Sequence, residues 1–481
     1  MGRDMVRRMI LRRLHIFAAL ALLGVWSRGF AALPDDVSRA LKANAIPESA
    51  VSLWAAPLDA AAPTWSHRAD TARNPASVMK LLTSLAALET LGPAYTWKTE
   101  AWTIGSIENG TLKGDLVLRG GGDPFLTWDR FAALLRDIRS RGVRDIEGDL
   151  VLDRSRFALP PHDPGAFDGR AARAYNAAPD ALSVNFNAVT LRISPRPDGR
   201  IDVTPTVPFA GLTLDNRLRA QGGESCPSWR DLVAPEIAAN GDKLSVRLPG
   251  RFPLACGEKL LNLATPDPAT MAAGVFRALW AELGGTFSGK VRSGTLPEGA
   301  TPLTVWLSPP LADVLRETDK YSNNLMARQI FLTLAFDGSD VAATPERASE
   351  RVRTWMLQRG LDPQQWVLEN GSGLSRQERT TATQLGALLR AAWASPRMPE
   401  FMAAQPVIGI DGTMKKRLPD TPLAGRGYVK TGTLDGVRSA AGYVLDAKGR
   451  WIAFAWLVNH PDADGAEAAF EALLTTLYGG R

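Results

Sequence analysis

The sequence predicts an α+β fold. The two ends of the chain build an antiparallel sheet flanked by helices, and a long middle stretch forms two nested, mainly β insertions. Three observations carry this. Residues 76–91 keep the apolar spacing of a helix. Residues 427–459 read as antiparallel strands joined by turns. Between about residues 96 and 299, short strand-like runs alternate with Pro/Gly turns.

The N-terminus reads as a secretory signal over residues 1–31. Arg3, Arg7, Arg8, Arg12 and Arg13 form a basic start, an apolar stretch runs from Ile16 to Trp26, and Gly29 and Ala31 suit a cleavage site. The apolar stretch is short for a membrane span. The segment holds six Arg and one Asp, so the remaining chain has 50 basic and 49 acidic residues, a net of +1. The basic pI of about 9.4 therefore belongs largely to the signal and gives no reason to expect nucleic-acid binding.

The following elements come in order. A short helix is expected at 35–45, a strand at 50–56 and a turn-rich link at 63–75. The helix at 76–91 carries Met79, Leu82, Leu85, Ala86 and Leu88 at helical spacing, and Gly92-Pro93 stops it. In the middle stretch, strands are expected at 116–119, 149–153 and 191–194, with one helix at 128–141. Residues 198–256 are rich in short β runs and contain both cysteines. Helical patterns return at 311–315, 324–335, 345–359 and 381–394. Strands are expected at 427–433, 439–445 and 451–459, with a turn at 446–450 around Gly449 and a closing helix at 466–478.

The chain has four His, one of them in the signal, and no G-x-S-x-G elbow, so nothing announces a Ser-His-Asp triad. Cys226 and Cys256 make no zinc site. In an exported protein they form either one disulfide or two buried thiols. Ser77-Val78-Met79-Lys80 opens the clearest helix, and its i, i+3 spacing puts the hydroxyl and the amine on one face. A lysine shielded from water can lose its proton near neutrality and take the serine's. Taken alone, the motif reads better as a capping serine with a solvated lysine. Lys430-Thr431-Gly432-Thr433 begins a β hairpin, where Gly432 admits a ligand backbone and the lysine and threonines suit a carboxylate. Ser322-Asn323-Asn324 precedes a helix. A second S-x-N, Ser183-Val184-Asn185, lies in a strand-like run and reads as structural.

These three motifs, in this order and these contexts, resemble the S-x-x-K, S-x-N and K-T-G set of penicillin-recognising serine enzymes. Ser77 and Ser322 lie 245 residues apart, and Ser322 and Lys430 lie 108 apart. The long first interval resembles that of the class C low-molecular-mass penicillin-binding proteins, peptidase family S13, which are D-alanyl-D-alanine carboxypeptidases and endopeptidases. The stretches Asn74-Pro75-Ala76-Ser77, Gly120-Gly121-Gly122-Asp123-Pro124, Gly371-Ser372-Gly373-Leu374-Ser375-Arg376 and Asp411-Gly412-Thr413 extend the resemblance over the chain beyond the signal.

The resemblance implies a penicillin-binding transpeptidase/β-lactamase-like domain at 33–97 and 300–481. One inserted domain would span 98–193 and 263–299, and an inner one 194–262. It implies Ser77 as nucleophile, Lys80 as base, Ser322 as proton relay tuned by Lys430, and Asn324 holding the acyl amide. The Thr431 and Thr433 hydroxyls would bind the terminal carboxylate, Gly432 would let the substrate backbone approach, and the backbone N–H groups of Ser77 and Thr433 would form the oxyanion hole. Asp153, Phe157 and Arg376 are expected around a diaminopimelate end of the substrate, although Asp153 and Phe157 read equally well as a strand end and a core aromatic. Asp435 stands where well-known members of the family carry glutamine, which bears on substrate preference. The implied partners are peptidoglycan stem peptides, β-lactam antibiotics as covalent inhibitors and a loose membrane association, in an exported, periplasmic setting with no metal or cofactor. No oligomeric state follows. The competing readings are a β-lactamase-like hydrolase on the same fold and a catalytically weak wall-binding protein.

Overall fold

The computed structural model describes residues 32–226 and 228–480. The expected signal, residues 1–31, lies outside the described residues. Five strands make one antiparallel sheet: β1 (Val51–Pro57), β2 (Trp65–His67), β3 (Gly427–Leu434), β4 (Val437–Leu445) and β5 (Trp451–Asn459). Their spatial order is β2-β1-β5-β4-β3. The two ends of the chain meet where β1 pairs with β5, from Val51↔Val458 to Pro57↔Ile452.

Both faces of the sheet are covered. Leu53, Ala55, Phe454 and Trp456 pack with α1 (Asp35–Ala43) and α6 (Glu467–Gly479). Trp54, Ala56, Ala455 and Leu457 pack with α2 (Lys80–Thr90) and α5 (Ala382–Ala394). Burial on both faces explains why β5 reads as an almost unbroken apolar run. Helix α2 is itself buried from Lys80 to Leu88, so it carries a lysine into the core.

The stretch between α2 and the later helices leaves and returns through one antiparallel pair. Lys98–Thr103 runs beside Thr301–Leu307, with Lys98 opposite Leu307. Below it, Trp97 N donates to Ser308 Oγ at 2.9 Å and Ser308 N to the Trp97 carbonyl at 3.0 Å. These strands belong to a mixed five-stranded sheet with Leu116–Gly120, Leu150–Asp153 and Val291–Ser293. Farther in, Ala188–Pro195 pairs with Lys259–Ala264 and brackets further short strands. Cys226 and Cys256 lie in that inner stretch and are bonded to each other.

Three local expectations need correction. The middle region has a second long helix, Pro268–Glu282. It carries standard start signals, since Asp267 caps Ala269 N at 3.0 Å and Pro268 fills the first turn. Burial around most of its surface leaves no polar stripe to reveal it. The helix expected at 76–91 begins instead as a 3₁₀ turn, Ala76–Met79, and becomes α-helical only at Lys80. The run around Ser183-Val184-Asn185 ends in a tight turn rather than continuing as a strand, with Asn185, Phe186 and Asn187 all at positive φ. Among the described residues, no helix is long and apolar enough to cross a membrane.

Candidate active site

The segment before Ser77 is clamped from three sides. Asn74 Oδ1 accepts from Ala76 N at 2.8 Å, and its amide donates to the Ser375 carbonyl at 2.8 Å. Asn74 N donates to Asn459 Oδ1 at the end of β5, also at 2.8 Å. The Pro75 carbonyl accepts from Ser439 Oγ at 2.6 Å. These bonds hold Ala76 at φ +46°, a region costly for a residue with a Cβ, and so tip the half-buried Ser77 out of the core.

Lys80 is completely buried, and its Nζ meets three oxygens: Ser77 Oγ at 3.0 Å, Asn324 Oδ1 at 2.8 Å and the Ser372 carbonyl at 2.5 Å. Burial, reinforced by the charge of Lys430, holds its pKa well below the ordinary lysine value. Ser372 lies in the Gly371–Arg376 stretch, where nothing in the sequence marks its carbonyl for a role. Its loop is shaped by buried Glu378, whose Oε1 accepts from the N–H groups of Glu369, Asn370 and Gly371 at 3.1–3.2 Å. Thr83, three residues after Lys80, donates to the Gly371 carbonyl at 2.7 Å and fastens the loop to α2.

The S-x-N segment joins α3 (Leu311–Lys320) to α4 (Asn324–Thr333). Its residues divide the work. Asn323 caps α4, accepting from Met326 N at 3.1 Å. Ser322 sits at φ +55° and accepts from Lys430 Nζ at 2.9 Å. Asn324 Nδ2 donates to the Tyr175 carbonyl at 3.3 Å, which turns its oxygen toward Lys80.

On β3, Lys430 is also fully buried, and its Nζ reaches the Thr431 carbonyl at 2.8 Å. Burial brings its pKa down to about 8. Thr431 Oγ1 meets Thr413 Oγ1 at 2.8 Å, and Thr433 is exposed. Gly432 lies against the turn that carries Ser77. A Cβ there would overlap Ser439 Oγ and come within 2.8 Å of the Pro75 carbonyl oxygen and Ser77 N. Asp319, at the end of α3, is fully buried. Its pKa is pushed up to about 6 by that burial, against the opposing charge of Lys430.

The residues expected around the substrate side chain separate. Arg376 does stand beside β3. It donates to the Asp435 carbonyl at 3.0 Å, lies 3.8 Å from the Asp435 carboxylate, and covers the Phe167 ring at 4.6 Å. Asp153 lies elsewhere, almost wholly buried in the inserted sheet. Its Oδ1 accepts from Ser155 N and Oγ at 3.0 and 2.6 Å, and its Oδ2 from Leu296 N at 2.8 Å. Both oxygens thus serve the fold. Phe157 is a core aromatic, 6.1 Å from the Phe336 ring and packed on Gly122, at the border of a cavity of about 950 Å³. The ring that reaches Arg376 is Phe167, from the same connecting loop. Its placement depends on how that loop folds, which residue spacing does not encode. Among the described residues, no group of His, Cys, Asp and Glu side chains is assembled to hold a metal ion.

A serine, two desolvated lysines, a second serine and an asparagine thus converge from three separate stretches of chain. The family profile described as "D-Ala-D-Ala carboxypeptidase 3 (S13) family" matches residues 33–477. The chain belongs to that family. It is accordingly a D-Ala-D-Ala carboxypeptidase of the serine-peptidase class. Among relatives, the D-alanyl-D-alanine carboxypeptidase DacB of Haemophilus influenzae is 27% identical over 388 residues, covering 80% of each chain. The D-alanyl-D-alanine carboxypeptidase of an Actinomadura species is 28% identical over 414 residues, covering 82% of this chain and 75% of the relative. The crystal structure of penicillin binding protein 4 (dacB) from Haemophilus influenzae shares the fold, with a TM-score of 0.78 at 24% identity. That match covers 93% of this chain and 100% of the other. The S13 family member described here therefore has the α+β, penicillin-binding-protein-like fold expected from the sequence.

Proposed function

We propose that this S13 peptidase trims D-Ala-D-Ala ends of peptidoglycan stem peptides in an exported, periplasmic setting through an acyl-enzyme on Ser77. In this reading Lys80 is the base, and the observation that carries it is the set of atoms around Lys80 Nζ. Two of its three neighbours, the Ser372 carbonyl and Asn324 Oδ1, can only accept hydrogen bonds. A neutral amine has two N–H bonds for them and one lone pair left. That lone pair faces Ser77 Oγ, 3.0 Å away, and is placed to receive the hydroxyl proton.

Ser77 Oγ then attacks the carbonyl between the two D-alanines as Lys80 takes its proton. The N–H groups of Ser77 and Thr433 receive the developing oxyanion. The C–N bond breaks, and the leaving amine takes a proton relayed through Ser322, whose hydroxyl is polarised by Lys430. Water attacks the ester, releases the shortened peptide and restores Ser77. Thr431 and Thr433 hold the terminal carboxylate, with Lys430 supplying positive charge. Cleavage of a D-alanyl cross-link breaks the same kind of bond, so DD-endopeptidase activity belongs to this reading. So does acylation by β-lactams, supported by the Haemophilus influenzae relative solved as a complex with a β-lactam. Recognition of the substrate side chain falls to the corner of Arg376, Phe167 and Asp435. The catalytic body is assigned to 33–97 and 300–481, with nested modules at 98–193 plus 263–299 and at 194–262.

The test is intact mass spectrometry after incubation with a penicillin, with Ser77→Ala alongside. A one-to-one adduct on the Ser77 peptide, missing from the variant, is expected. No adduct on folded wild-type protein would remove Ser77 as nucleophile.

A further inference from the structure

Two lysines buried within one site raise a charge problem. Each positive charge opposes the other, and nothing in the three catalytic motifs balances them. The buried acid nearest in effect lies outside those motifs. Asp319 is completely closed from solvent in the last turn of α3, just before Ser322. Its Oδ2 accepts from Ser84 Oγ at 2.8 Å and from Gln405 Nε2 at 2.9 Å. Ser84 follows Lys80 by one helical turn on the same face of α2, so the carboxylate sits one turn deeper than the base. Oδ1 is buried with no hydrogen-bond partner, leaving half the carboxylate uncommitted to the fold.

We propose that Asp319 is a positioning residue: its carboxylate, fixed by Ser84 and Gln405 beneath the site, keeps the proton on Lys430 while Lys80 stands neutral. The surrounding charges support this. Lys430 on β3 and Lys80 on α2 are the two cations that act on Asp319, Lys430 more strongly. Asp319 is in turn the group that holds Lys430 up against the effect of burial. On Lys80, Lys430 and more weakly Arg328 oppose a charge, while Asp319 and then Glu378 favour one. Gln405, from the segment after the helix Met398–Ala404, is uncharged. Neighbouring Lys320 is taken up by Asp411 at 2.6 Å. The inference rests on the acyl-enzyme reading above, with Lys80 as base and Lys430 as the retained charge.

Asp319→Asn keeps the shape and removes the charge. Gln405 Oε1 is itself buried without a partner, so a flip of that amide can accept from the new Asn. The experiment is the pH profile of the second-order rate of penicillin acylation. Its alkaline limb reports loss of the Lys430 proton, near pH 8 in the wild type. Removing an opposite charge lowers a lysine pKa, so in Asp319→Asn the limb should move toward acid by about one unit or more. Asp319→Glu should restore it. Unmoved limbs with a merely lower rate would make Asp319 structural and overturn the inference. If Asp319→Asn does not fold, Ser84→Ala reads the same coupling. Without that donor the carboxylate is no longer fixed beneath the two lysines, so the alkaline limb should again move toward acid, and an unmoved limb overturns the proposal. A wild-type enzyme that takes no acyl group would sink the acyl-enzyme reading and this inference together. An unshifted variant of an acylating enzyme sinks only the inference.

Discussion

Gly432→Ala adds one methyl group at the point where β3 touches the turn that carries Ser77. The new Cβ would come within 2.8 Å of both the Pro75 carbonyl oxygen and Ser77 N. Ordinary contacts need about 3.5–4.0 Å, so strand and turn must part by roughly 0.7–1.2 Å. The turn cannot retreat, because Gly373 backs it on the other side. A Cβ at Gly373 would overlap the Ala76 carbonyl and lie 2.7 Å from Ser77 N. The strand must therefore give, although β3 is paired with β4 along its whole length, from Gly427↔Val444 to Leu434↔Val437. Overpacking of this kind costs about 1–3 kcal/mol. The larger effect is catalytic. A displacement of about 1 Å at a reacting centre costs on the order of 10²-fold, and loss of one oxyanion donor about 10²–10³-fold. Acylation by a fluorescent penicillin should slow by about 10²-fold or more, with a modest fall in the melting midpoint by circular dichroism. A Gly432→Ala enzyme that acylates within about threefold of wild type, well inside the ~10²-fold loss, and melts normally would refute the claim that this contact sets the site.

Three further outcomes are expected. Lys430 carries a pKa depressed to about 8, so it keeps its proton below pH 8 and loses it above. Wild-type acylation should therefore fall with rising pH on the alkaline side, measured as the second-order rate in buffers of constant ionic strength. Arg376→Ala removes the cation over Phe167 and beside Asp435. It should raise KM for peptides with a charged side chain at the diamino position and leave penicillin acylation within a few fold. An equal loss for both ligands would place Arg376 in the chemistry instead. The double variant Cys226→Ser, Cys256→Ser opens a loop with a sequence separation of 30, worth about 3–4 kcal/mol in the chain-entropy model. The insertion should become more sensitive to denaturant while acylation of Ser77 persists at low denaturant.

Much of this arrangement is legible in the sequence because it is local. Helix α2, the β3–β4–β5 hairpins and the three motifs each lie within a short window whose periodicity or spacing survives without tertiary context. What escapes is set by distant contacts. Ala76 takes a left-handed conformation because Asn74 is held by Ser375 and Asn459, and no local pattern announces that. Ser372 acts through its backbone carbonyl, which carries no side-chain signature. Asp319 looks like one more polar residue at a helix end until burial shows it between α2 and the segment around Gln405. Phe157 and Phe167 are equally apolar on paper, and only the fold of their loop sends one into the core and the other to Arg376.

The insertion illustrates how tertiary context overrides sequence distance. Because it leaves and returns through the pair Lys98–Thr103 and Thr301–Leu307, zipped down to Trp97 and Ser308, it imposes no open loop on the catalytic sheet. Yet it is no passenger. The acceptor that orients Asn324 is the carbonyl of Tyr175, which belongs to the inserted loop. If the Asn324 amide turned over, an NH₂ would face the N–H bonds of Lys80, and the lone pair would no longer be steered to Ser77. That loop is held by Asp168, which accepts from Tyr175 Oη at 2.7 Å and from Asn176 Nδ2 at 2.9 Å. Asp168→Ala should therefore loosen the acceptor from a distance. A net hydrogen-bond loss of about 0.5–1.5 kcal/mol converts to roughly a 2–10-fold slower acylation. Because the effect runs through Asn324, Asp168→Ala added to Asn324→Ala should slow acylation no further. If the two losses simply multiply, the loop acts on the enzyme by some route other than the amide of Asn324.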